Sequence, residues 1–82
     1  MTYTLVITGA DGAQQASRTD YRDDEAVVGD VRHMLSPEQP RIVIGRGMDE
    51  PILWLGAWEW REGAPPAWIV GATPERSSPE PA

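Results

Sequence analysis

Cysteine, lysine and phenylalanine are absent from this sequence, and histidine occurs once, as His33. The missing cysteines exclude disulfides, thiolate metal sites and cysteine nucleophiles together. One histidine leaves too few nitrogen ligands for a zinc site, so no metal and no cofactor is expected. The basic side chains are seven arginines against thirteen acids, a formal net charge of −6. A chain this acidic has no cation cluster to displace counterions from phosphate, which argues against nucleic acid as a partner. It argues equally against an anionic membrane surface. Its charge suits a basic protein, because opposite potentials speed encounter, and it also keeps a small domain soluble. The longest apolar run falls far short of the about 20 residues that span a bilayer. Met1–Ile7 has neither the basic flank nor the apolar length of a signal peptide. A cytoplasmic location is the expectation that follows.

The 82 residues make one domain. A chain of this size buries about 60–65% of its unfolded surface, so its margin of stability is thin. With disulfides and metal excluded, a second subunit is the reinforcement left to it.

What the sequence does have is tryptophan, and three of its four tryptophans lie in Ile52-Leu53-Trp54-Leu55-Gly56-Ala57-Trp58-Glu59-Trp60. At a period of two, Ile52, Trp54, Trp58 and Trp60 share one face of a strand, and Leu53, Leu55 and Ala57 the other. A strand apolar on both faces is covered on both, or offers one to a partner. The fourth tryptophan, Trp68, follows in Ala67–Ala72, the last strand. A hairpin across Arg61–Pro66 sets Trp60 opposite Trp68 and Trp58 opposite Val70.

Upstream, Thr2–Thr8 alternates, with Tyr3, Leu5 and Ile7 on one side and mostly threonine on the other. Asp11-Gly12 favours a tight turn, returning as a polar edge strand over about residues 13–19. Tyr21–Ser36 contains a helix at about Asp24–Leu35, capped by Asp23 or Asp24 and ended by Pro37. Val27, Val28, Val31, Met34 and Leu35 fall on one helical stripe, and Gly29, Asp30 and His33 opposite. Arg41–Arg46 is a short strand with Ile42 and Ile44 facing one way.

The fold class expected is therefore α+β: a single small domain over residues 1–72, ordered β-β-α-β-β-β. Its sheet is roughly five-stranded, mixed or antiparallel, with one helix on one face. Residues 73–82, rich in proline and serine, are expected to form a disordered tail. One short helix leaves the other sheet face without an internal cover. Either Ile42, Ile44, Leu53, Leu55 and Ile69 meet the helix and the tryptophans look outward, or the reverse holds.

Signatures of chemistry are weak. Thr8-Gly9-Ala10-Asp11-Gly12 after a strand resembles the Thr-Gly opening of short-chain dehydrogenases. That family, however, has glycines where this chain has Ala13 and Gln15, so a hairpin turn is the better account. Gly45-Arg46-Gly47 lacks the Lys-Ser/Thr and the helix start of a phosphate loop. Asp20, Asp23, Asp24 and Glu25 lack the spacing of a calcium loop and suit a helix start instead. His33 has Asp30 one turn earlier, a pairing commoner on a solvated helix face than in catalysis. Serines 17, 36, 77 and 78 carry no nucleophile motif.

No enzyme is expected. The expected function is a non-catalytic protein-binding module, most concretely a small acidic inhibitor or adaptor docking through an aromatic sheet face. Trp54, Trp58, Trp60 and Trp68 would form that face, with Asp49 and Glu50 beside it. Tryptophan is strongly enriched at the energetic centres of interfaces. The alternatives are a homodimer closed through the same face, a subunit of a small enzyme, or four tryptophans that are simply core.

Overall fold

The structure, a computed structural model, describes residues 1–74. Its elements are β1 (Thr2–Thr8), β2 (Gln14–Asp20), α1 (Asp24–Val31), a 3₁₀ turn (Arg32–Met34), β3 (Arg41–Arg46), β4 (Leu53–Glu59) and β5 (Ala67–Val70). The strands form one five-stranded sheet in the order β2-β1-β3-β4-β5, and every neighbouring pair is antiparallel. The α+β class and element order expected from the sequence are those observed. The disordered tail expected from residue 73 lies, beyond Pro74, outside the described residues.

β1 occupies the sheet interior because its alternation supplies both faces. Tyr3, Leu5 and Ile7 meet the helix, while Thr4 and Val6 are buried on the opposite side. α1 crosses from β2 to β3 and buries Val27 and Val31 against Tyr3, Leu5, Ile42 and Ile44. Asp23 caps it, its carboxylate accepting from the Ala26 N–H at 2.9 Å. The α-helix is shorter than expected, and the chain tightens into a 3₁₀ turn at Arg32. That change of pitch turns Met34 outward, to 39% exposure, while Leu35 stays in the core.

A polar pin fixes the helix start to the sheet. The buried Tyr3 hydroxyl donates to Asp24 at 2.6 Å, and Arg46, its neighbour across β1 and β3, donates from Nε to the same carboxylate at 3.2 Å. Arg46 Nη2 completes a two-pronged contact. Arg46, and then Tyr3, hold the Asp24 carboxyl below the usual carboxylate range. Burial, and then the Asp24 carboxylate, push Tyr3 from 10.0 up to about 12.

The sign of the alkaline dependence follows. Unfolded chains lose the Tyr3 proton near its ordinary value, and the folded chain holds it up to about 12. Stability from this group is therefore complete below pH 10 and lost as pH rises from 10 towards 12. Melting temperature should fall across that interval, and Tyr3→Phe should flatten the fall. An unchanged slope would show that the hydroxyl does not couple to folding.

Candidate functional site

The tryptophans do not share a face. Between β3 and β4 the register shifts at Ile44 and Gly45: Ile44 pairs with Gly56, yet Gly45 pairs with Trp54, leaving Leu55 as an extra residue. This bulge reverses the alternation in mid-strand. Trp58, opposite Ile42, points to the helix side, whereas Trp54, opposite Gly45, lies on the helix-free side. A strict period of two cannot anticipate an inserted residue, so the single tryptophan face is corrected here.

Trp58 and Trp68 pack together at 5.2 Å between centroids as a directly opposed cross-strand pair. The hairpin register is thus offset by two from the expected one, with Trp58 opposite Trp68 and Val70 opposite Gly56. Gly56 explains the offset. A Cβ there would lie 2.6 Å from the Trp68 ring, so only glycine leaves the slot that the ring fills. Trp58 also donates from Nε1 to the Val28 carbonyl at 2.8 Å. That carbonyl lies in the last turn of α1, where intrahelical partners run out. Arg32 covers the ring from outside, its guanidinium carbon 5.6 Å from the centroid. Trp58 and Trp68 are therefore core in kind, closing the sheet beneath the helix C-terminus. Trp60 stands just past β4, 38% exposed, its N–H bonded to the Pro40 carbonyl at 2.8 Å.

Trp54 belongs to a different environment. Its ring lies against Gly45, where a Cβ would come within 2.6 Å of it. There it packs against the small second core of Val6, Val43 and Ala57. Beside it runs a groove of about 520 Å³, floored by Thr4, Val6 and Ala16 and walled by Met48, Ile52 and Trp54. Glu50 and Arg18 also line it. The loop carrying Met48, Asp49 and Glu50 is tied down at its root. Thr4 Oγ1 donates to the Gly47 carbonyl at 2.8 Å, and the Gly47 N–H donates to the Thr2 carbonyl at 2.8 Å. The structure thus brings together Trp54 and Glu50 with Asp49 adjacent, and separates them from Trp58 and Trp68.

The period of two already sets Ile52 on the face of Trp54, whereas no local pattern in the sequence links Met48 in a turn or Arg18 in an edge strand to them. Pro74 joins the groove from the C-terminal side. It arrives on a strap, Gly71–Pro74, that recrosses the sheet on its helix-free face. Ala72 packs on the second core, Arg41 donates to the Thr73 carbonyl at 3.3 Å, and Gln14 to that of Pro74 at 2.9 Å. Thr73 and Pro74, expected in the tail, are thus anchored.

The titratable groups near the helix hold the fold together. Tyr21 donates to Asp30, the acid suggested as a partner for His33, and that bond raises the tyrosine above its ordinary value. Arg41 pairs with Glu59 at 3.2 Å. Among the described residues no three His, Asp or Glu side chains converge as a metal would require, and no helix is long and apolar enough to cross a membrane. No protein family, no curated protein and no solved structure matches the chain.

Two substitutions separate the two environments. Trp58→Ala should cost about 3 kcal/mol of folding stability, the low end for a large aromatic, because the ring is half-buried. A melting curve close to that of the unsubstituted protein would remove Trp58 from the core. Gly45→Ala should cost about 1–3 kcal/mol by forcing Ile52 and Trp54 off the sheet. Trp54 fluorescence should then shift towards that of a water-exposed indole.

Proposed function

We propose that this chain is a non-catalytic protein-binding module that docks a basic protein in the groove beside Trp54. One observation carries this: the face without a helix holds a groove walled by Trp54, Met48 and Ile52, with a carboxylate at its margin. Tryptophan and methionine are enriched in protein interfaces, tryptophan particularly at their energetic centres. Asp49 and Glu50 are exposed on the adjoining loop, and the whole chain carries −6. A partner presenting a bulky apolar side chain beside arginine or lysine would meet both features.

The groove also carries charge of both signs. Glu50 and Arg18 make none of the ion pairs among the described residues, so each is available to a group on the partner. A cation on the partner would pair with Glu50 and a carboxylate with Arg18. Trp58 and Trp68 enter indirectly, by holding the sheet on which the groove is built. An inhibitor or adaptor role agrees with such a surface, while Asp23, Asp24 and Asp30 near the helix are occupied in structural contacts.

The test uses the partner recovered by affinity capture with the full chain, followed by rate measurements on the purified pair. Trp54→Ala should weaken binding by about 2 kcal/mol, roughly thirtyfold, as interface tryptophans do. Asp49→Asn with Glu50→Gln should slow association and reduce its salt dependence while leaving dissociation nearly unchanged. Full binding by Trp54→Ala, checked as folded, would remove the groove from the interface.

A further inference from the structure

β5 is an edge strand, paired on one side with β4, and it differs in kind from β2 at the opposite edge. β2 carries glutamine, serine, arginine and aspartate along an exposed strand, which discourages pairing with another chain. β5 is Ala67-Trp68-Ile69-Val70, without a polar side chain, and Ile69 and Val70 remain 38% and 79% exposed. Its backbone shows what this edge can bond. The Gly71 N–H points inward, to the Leu55 carbonyl at 2.9 Å, and the Ile69 carbonyl lies on that same side, against Gly56. Alternate residues of an antiparallel strand bond to the same neighbour, so Trp68 and Val70 direct their N–H and C=O groups outward. The row stops at both ends. Pro66 has no N–H to add, and the Ala72 N–H turns back to the Ile69 carbonyl at 3.4 Å.

We propose that β5 pairs with β5 of a second copy, antiparallel about a two-fold axis through Ile69. In that register Trp68 opposes Val70 of the second copy and Val70 opposes its Trp68. Both outward donors and both outward acceptors of each strand then find partners. Pro66, which has no donor, falls opposite Ala72, whose donor is already used. A register centred on Trp68 sets Val70 against Pro66 and strands the Val70 carbonyl. One centred on Val70 sets Trp68 against Ala72 and strands the Trp68 carbonyl. The edge is thus complementary to itself in one register, and this selects a second copy as its occupant. Trp68 and Val70 become aromatic–branched cross-strand pairs on the helix side, and Ile69 meets its counterpart on the other. The two sheets join into one of ten strands, with both helices on one face and both Trp54 grooves on the other. The pairing does not depend on the docking role of Trp54.

Sedimentation equilibrium and amide exchange, each followed across a range of chain concentrations, test it. The expected result is a monomer–dimer equilibrium in which the Trp68 and Val70 amides gain protection as dimer forms. Val70→Pro removes an outward N–H that β4 does not use, and Ile69→Lys sets two like charges at the axis. Each should weaken dimerisation at least tenfold, while Trp54→Ala should leave it unchanged. A chain that stays monomeric with freely exchanging Trp68 and Val70 amides at every concentration overturns the proposal. So does a dimer that survives both β5 substitutions or is lost in Trp54→Ala. Should either β5 variant fail to fold, the amide protection of the unsubstituted chain decides the matter.

Discussion

An extra residue in β4 governs where the large side chains go. Leu55 has no partner of its own on β3, so the strand changes sides between Trp54 and Ala57. Without it, Trp54 would follow Trp58 beneath the helix, and the sheet would have one crowded face and one bare one. With it, the tryptophans divide. Trp58 and Trp68 extend the main core past the end of a short helix, and Trp54 anchors a second, smaller core on the opposite side. Two glycines make the division sterically feasible. Gly45 lets one indole lie against the sheet, and Gly56 does the same for another. An eight-residue helix is about 12 Å long and covers only part of one sheet face. The aromatic rings supply the cover that the helix does not reach.

Much of the fold was legible in the sequence because local signals agreed with tertiary need. Thr2–Thr8, which alternates, and Arg41–Arg46, apolar through Ile42-Val43-Ile44, sit in the sheet interior, where both faces are filled. Asp23 at the helix start and Asp11 at the first turn accept from backbone N–H groups two or three residues on, so their roles need no distant partner. What could not be read depends on contacts between remote segments. The bulge follows from how β4 fits β3, and the two-residue offset of the last hairpin from the slot at Gly56. The groove draws on β1, β2, a loop and the C-terminal strap at once. Asp49, Glu50 and Trp54 are suggested by type alone, as acids and an aromatic beside a turn. The sequence leaves Trp58 and Trp68 open between a docking face and the core, and the bulge and the helix terminus put them in the core.

The Tyr3–Asp24–Arg46 contact shows how few polar bonds position the helix. Its members come from β1, the first turn of α1 and the end of β3, so one carboxylate fixes the helix start relative to two central strands. The apolar stripe of Val27, Val31 and Leu35 sets which side of the helix faces inward, but apolar contact alone tolerates sliding. Hydrogen bonds of defined direction do not. Trp58 makes the corresponding bond at the other end, to the Val28 carbonyl. The helix is thereby held lengthwise at both termini.

The strap at Gly71–Pro74 bears on the order in which the chain acquires its shape. Gln14 reaches the Pro74 carbonyl across sixty positions of sequence, joining the first hairpin to the last described residues. The first hairpin and the helix can associate early, since their contacts are local. The helix-free face is finished only when the strap comes back over Val6, Val43 and Ala57. Closing so long a loop carries an entropy that local pairings escape. Until the strap folds back, Val6, Val43 and Ala57 therefore lack the cover that Ala72 gives them.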